Sequence, residues 1–123
     1  MNNNNETPTP TEIKLHQKSR LMEVTFANGM HFSLPYEFLR VYSPSAEVRG
    51  HGQGQEVLQT GKKNVDIVDI EAVGSYAIQP KFSDGHDTGI YSWDYLYELG
   101  ISQDKRWKEY LGRLATAKAS REA

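Results

Sequence analysis

The chain contains no cysteine. That excludes disulfides, thiol catalysis, cysteine-ligated iron–sulfur clusters and cysteine-type zinc sites. It also makes a reducing cytoplasm the expected location. No apolar run approaches the roughly 20 residues that cross a bilayer, so no membrane partner is expected. The N-terminus has no basic stretch followed by an apolar one, so no signal peptide is read there. Charge of one sign is also missing. The formal net charge is −2, and the basic residues (Lys62, Lys63, Lys105, Arg106, Lys118, Arg121) are scattered. A nucleic-acid binder shows a basic stripe, so no nucleic-acid partner is expected.

What remains is enough for one domain. The 123 residues fall in the usual single-domain range of roughly 100–150. Staples become necessary only below roughly 40 residues. Residues 1–11 (MNNNNETPTPT) hold no apolar group after Met1 and are expected to be a disordered tail. Residues 116–123 are small and polar and are expected to fray. The single folded domain is then 12–115, a monomer by default.

Residues 12–16 (EIKLH) and 20–27 (RLMEVTFA) alternate polar and apolar, as half-buried strands do. In the second run Met22, Val24 and Phe26 share a face. Asn28-Gly29 and a further alternating run, MHFSL, predict a hairpin whose two turn positions both need positive φ. Pro35 ends that strand, and residues 36–42 (YEFLRVY) predict a short helix with Phe38, Leu39 and Tyr42 on one side. Residues 46–64 are punctuated by four glycines and read as a long loop, a kind often functional or mobile. Residues 65–73 and 76–82 predict two more strands, and 88–91 a short extended piece. Ser92 then caps a helix over 93–99 with Gly100 as its C′ residue. Ser102 caps a second helix on which Trp107, Tyr110, Leu111 and Leu114 recur at helical spacing. Antiparallel strands followed by helices argue for an α+β fold: hairpins forming a small two-layer core, a short central helix and a helical C-terminus.

Few chemistries survive inspection. RGHGQGQ followed by Gly61-Lys62-Lys63 fails as a phosphate loop. Its spacing is wrong, Lys63 stands where a hydroxyl belongs, and a strand follows. The four histidines, His16, His31, His51 and His86, contain no i, i+4 pair of the metal-binding kind. Asp84-Gly85-His86-Asp87 packs two carboxylates and an imidazole together, either as a divalent-ion or acid–base cluster or as an ordinary turn. No G-x-S-x-G elbow occurs. Ser43, Ser45 and Ser92 read as turn or cap residues, and no nucleophile–base pair can be named. Tyr91, Trp93, Tyr95 and Tyr97 suit either a packed helix or a binding surface, with packing favoured.

Two segments carry a resemblance: EVTFANGMHFSLPYEFLRVYSPSAEVRGHG and VDIVDIEAVGSYAIQPKFSDGHDTGIYSWDYLYELG. Together they resemble the γ-butyrobetaine hydroxylase-like N-terminal domain family, long carried as a domain of unknown function, over residues 12–111. In the hydroxylases this domain precedes an iron- and 2-oxoglutarate-dependent catalytic domain and holds a structural zinc on three cysteines and one histidine. The hydroxylase pattern WLRDNCxCxxC is similar to residues 38–48, so its cysteine positions fall on Ser43, Ser45 and Val48, and its histidine on His86. Serine is a poor zinc ligand and valine none. The resemblance therefore implies a degenerate zinc site with His86 as a vestigial ligand position, and no metal or cofactor is expected. These residues leave no room for the catalytic domain and show no HxD…H triad. Relatives joined to P-loop ATPases of the iron–sulfur carrier kind imply an adaptor role.

The expectation is a non-enzymatic accessory or protein-interaction module with an unidentified protein partner and no catalytic residues. Candidate interaction residues are Ser43, Ser45, Arg49, His51, Asp84, His86, Asp87, Tyr91 and Trp93. The alternative is a small-ligand or metal-binding module linked to 2-oxoglutarate and iron enzymes or to iron–sulfur metabolism, using His51, Asp84, His86 and Asp87.

Overall fold

The computed structural model describes residues 7–50 and 54–122. Two three-stranded antiparallel sheets and four helices make an α+β fold. The first sheet has the order β1 (Pro10–His16), β2 (Leu21–Phe26), β3 (His31–Pro35). Two helices follow: α1 (Tyr36–Val41) and α2 (Ala46–Arg49). The second sheet has the order β4 (Ile67–Val73), β5 (Ala77–Phe82), β6 (Tyr91–Ser92). Helices α3 (Trp93–Ile101) and α4 (Gln103–Ala117) complete the chain.

The alternation in β2 does what it predicts. Met22, Val24 and Phe26 are buried while Leu21, Glu23 and Thr25 are half-buried on the other face. The hairpin forms with Thr25 opposite His31, but its turn differs from the expected pair of left-handed residues. Only Gly29 has positive φ, at 88°. Asn28 contributes its side chain instead, Oδ1 accepting the Met30 N–H at 3.0 Å.

One core joins both sheets. Val24 and Phe26 of the first sheet, Ile67 and Ile78 of the second, Phe38 of α1 and Leu96 of α3 belong to a single buried cluster. Tyr91 is fully buried there, so the aromatic run serves mainly packing. Its hydroxyl, which needs a partner once dry, donates to the Leu39 carbonyl.

Four local expectations are corrected. The segment after Ser45, read as loop, begins with α2, because the Ser45 side chain accepts the Glu47 N–H at 3.1 Å and caps a turn of helix. Gly100 does not end α3, which continues to Ile101. A Cβ at Gly100 would stand 2.4 Å from the Phe32 ring, so this glycine lets a helix and a strand approach. Ser102 occupies the N-cap position of α4 but makes no cap bond. Its hydroxyl donates to the Glu98 carbonyl at 2.7 Å. On α4, Tyr110 and Leu114 are buried whereas Leu111 is 40% exposed, so the apolar stripe is narrower than its spacing suggests.

After α4 the chain turns at Lys118, which has a left-handed φ of 54°. Residues 119–122 run back along the domain. Gly61 N–H donates to the Ser120 carbonyl and Lys63 N–H to the Arg121 carbonyl. Among the described residues no helix is long and apolar enough to cross a membrane.

Candidate functional site

The residues after α1 and those after β5 meet. Ser43 and Ser45 come from the turn between α1 and α2, and His86 from the turn between β5 and β6. Asp84 and Gly85 shape that second turn: Gly85 has φ 90°, and its N–H donates to the Phe82 carbonyl at 3.0 Å. The Asp84 carboxylate accepts the His86 N–H at 3.2 Å. This local bonding is what makes Asp-Gly a turn former, and it turns the imidazole inward.

His86 is 6% exposed and both its ring nitrogens are engaged. Nδ1 lies 2.9 Å from Glu47 Oε1. Nε2 lies 2.8 Å from Ser43 Oγ. A carboxylate only accepts, so Nδ1 carries the proton and the Ser43 hydroxyl donates to Nε2. Ser43 Oγ in turn accepts the Ser45 N–H at 3.2 Å. Thr88 Oγ1 donates to Glu47 Oε1 at 3.2 Å and lies 2.7 Å from Ser45 Oγ. The bonds therefore link five side chains and converge on the Glu47 carboxylate from two sides, through His86 and through Thr88. Burial and the Arg40 charge push the His86 pKa down, Glu47 and Asp84 pull it up, and the net shift is downward. The neutral imidazole that this network needs is the favoured form.

Ser43, His86 and Glu47 stand in the order nucleophile, base, orienting carboxylate. The sequence could name no such pair, because 43 residues separate Ser43 from His86. The access that catalysis requires is missing. Ser43 is 1% exposed. A Cβ on Gly89 would lie 2.4 Å from Ser43 Oγ, so the Gly89 backbone seals that face. The Ser45 N–H is already bonded to the oxygen and aims at no reacting carbonyl.

The same positions can be tested against the zinc that the resemblance describes. Ser43, Ser45 and His86 are brought together as the resemblance implies, while Val48 is a buried apolar side chain on α2. Two neutral hydroxyls, an isopropyl group and an imidazole with both nitrogens bonded do not fit a zinc ion, which takes thiolate, imidazole or carboxylate donors. Among the described residues no three His, Cys, Asp or Glu side chains are grouped so as to hold a metal.

A second polar cluster adjoins the first. Asp84 Oδ2 accepts from Arg40 Nε at 2.9 Å and from Lys62 Nζ at 2.6 Å. Burial pushes the Asp84 carboxyl up, but hydrogen bonds from Lys62 and the His86 amide, with the Arg40 charge, outweigh it and hold it at about 2. Arg40 is itself 7% exposed and reaches Gln59 Oε1 with Nη1 at 2.9 Å.

The remaining candidates are dispersed. Arg49 lies over the Tyr95 ring at 4.9 Å. Asp87 is exposed, with its carbonyl accepting from Gln79. Trp93 Nε1 donates to the Ser75 carbonyl at 2.8 Å. His51 lies outside the described residues. Sequence reasoning missed Glu47, Thr88 and Arg40. Glu47 had one available signal, since it sits two residues after a serine that can cap a helix.

Comparison with known proteins agrees with the resemblance. A family profile described as "Gamma-butyrobetaine hydroxylase-like, N-terminal" matches residues 13–97. Two solution structures determined by NMR are similar to this chain. One is 55% identical over 98% of this chain and 90% of that one, with TM-score 0.82. The other is 47% identical over 95% and 92%, also with TM-score 0.82. A crystal structure of a protein of unknown function from Acidithiobacillus ferrooxidans, described as belonging to the DUF971 family, is 42% identical. It covers 75% of this chain and 92% of that one, with TM-score 0.63. No curated protein matches the chain. The chain belongs to the γ-butyrobetaine hydroxylase-like N-terminal domain family.

Proposed function

We propose that the chain is an accessory module that binds another protein and has no catalysis of its own. The observation that carries this reading is the closed bonding of Ser43 and His86, which leaves neither the buried hydroxyl nor the imidazole open to a substrate. In this reading the cluster is a clasp. It pins the α1–α2 turn to the β5–β6 turn and so fixes one continuous rim. Glu47, Arg49, Asp87 and Thr88 are exposed on that rim, beside Ile90 at 46% exposure. An apolar side chain set among charges is the usual composition of a modest interface.

Affinity capture with the wild-type chain and with Asp87→Arg/Ile90→Ser, which leaves the Ser43–His86–Glu47 bonds in place, tests it. A protein retained by the first and lost by the second supports the rim. No protein specifically retained by the wild type removes the reading. The alternative, a metal- or small-ligand module tied to 2-oxoglutarate or iron–sulfur chemistry, has its donors at His86 and Asp84 already bonded. Titration with Zn(II), Fe(II) and 2-oxoglutarate, followed by amide shifts, separates the two. A saturable shift at His86 favours the alternative.

A further inference from the structure

Glu37, on the first turn of α1, is 7% exposed. A carboxylate so placed needs a cation with matched geometry. Arg121 supplies it from outside the helices: Nε and Nη2 donate to Oε2 and Oε1 at 2.8 and 2.7 Å. The guanidinium also lies over the Trp107 ring, 5.3 Å from its centre. A two-pronged bond combined with stacking is specific to a planar guanidinium, and an ammonium satisfies neither.

The segment that brings Arg121 is tethered by its backbone, the Ser120 and Arg121 carbonyls accepting from Gly61 and Lys63, and by the Lys63–Glu122 ion pair. It is therefore the Arg121 side chain and not the segment that an incoming group would displace. The neighbours of Arg121, Ser120 and Glu122, are exposed. Cavities lie on both sides of Arg121. One of about 320 Å³ is walled by Phe38, Gln103, Asp104 and Trp107. The other, of about 270 Å³, opens toward Arg20 and Asn64. Arg121 thus plugs a seat larger than itself, and the vacant side carries the Asp104 carboxylate and the Gln103 amide, which suit a peptide backbone and a second basic residue.

We propose that Glu37 and Trp107 form a guanidinium-binding seat that Arg121 fills in cis and that an arginine-bearing segment of a partner protein takes by displacing it. The seat shares no residue with the rim proposed above, so either reading stands or fails without the other.

The test uses the full chain, as wild type and as Arg121→Ala. Each is titrated with a blocked Gly-Arg-Gly peptide and with Gly-Lys-Gly, reading the Trp107 indole N–H by NMR. The expected result is a saturable shift with the arginine peptide on Arg121→Ala, at least ~10-fold tighter than on wild type because Arg121 competes for the seat. Glu37→Gln/Arg121→Ala loses that shift. A flat response from folded Arg121→Ala, an equal response to the lysine peptide, or unchanged binding in the double variant overturns the seat. No displacement in wild type at about 100-fold the Kd of Arg121→Ala overturns the competition. If Arg121→Ala does not fold, Arg121→Lys, which keeps the charge and lacks the fork, is titrated with the same criteria. Concentration-dependent dimers of wild type, lost in Arg121→Ala, replace the partner by a second copy of the chain and overturn that part.

Discussion

Gly89 lies against Ser43 so closely that a single added carbon would stand 2.4 Å from Ser43 Oγ. Backbone seals the hydroxyl at that point, and the neighbours that would have to yield are a hydrogen-bonded serine, the Tyr91 ring at 3.2 Å and Pro44 at 3.3 Å. Gly89→Ala is therefore expected to destabilise the domain by about 1–3 kcal/mol, the usual cost of overpacking. Gly112 is the control. It lies within α4 with nothing near its Cβ position, and Gly112→Ala is expected to stabilise by about 0.5–1 kcal/mol. Urea unfolding midpoints of the two variants should move in opposite directions.

Ser43 is expected to be inert. A serine-directed fluorophosphonate should label neither the wild type nor Ser43→Ala, because the reagent cannot reach a residue that is 1% exposed. Stoichiometric labelling of Ser43 that disappears in His86→Gln would show that the triad opens and would reinstate an enzymatic reading. Ser43→Ala should instead lower stability by about 1–3 kcal/mol, since it strips a partner from the buried imidazole.

Acid should loosen the clasp in two steps. The folded-state pKa of His86 is depressed, so the native state binds fewer protons than the unfolded one. Its contribution is full above the unfolded value and declines as pH falls below roughly 6.5. Asp84 is depressed from 3.8 to about 2. Its contribution, about 2 kcal/mol from that shift, holds above roughly pH 5 and is lost on the way to pH 2. Unfolding free energy against pH should show both declines. His86→Gln should flatten the first, and Asp84→Asn the second.

Arg40 depends on Asp84 more than Lys62 does. The Arg40 side chain is 8% exposed and that of Lys62 20%. Asp84→Ala removes the partner of both cations, and because the carboxylate is 24% exposed the expected cost is about 1–3 kcal/mol. Asp84→Ala/Arg40→Met should recover part of that loss. A double-mutant cycle on thermal unfolding measures the coupling, and additive effects would show that the pair contributes nothing as a pair.

Several elements could be read directly from the chain, and others could not. The alternation of Met22, Val24 and Phe26 fixes which face of β2 is buried, because side chains on a strand alternate by geometry alone. Asn28-Gly29, Pro35 and Ser92 mark their boundaries through local backbone chemistry, with Ser92 Oγ accepting the Tyr95 N–H at 3.1 Å. Gly100 has the local signature of a helix end, but the Phe32 ring, 68 positions away in the chain, makes it a packing residue within α3. Ser102 looks like a cap and bonds backward to Glu98.

The sequence by itself determined the α+β class, the hairpin, the order of elements apart from α2, and the family. Each rests on short-range periodicity, turn chemistry or a contiguous motif. Only the tertiary structure decided that Ser43, Glu47, His86 and Thr88 form one bonded cluster, that Gly89 seals it, and that Glu37 depends on Arg121, 84 residues along the chain. Those facts concern distances between segments far apart in the chain, and a hydrogen bond depends on position and burial, which no local pattern records.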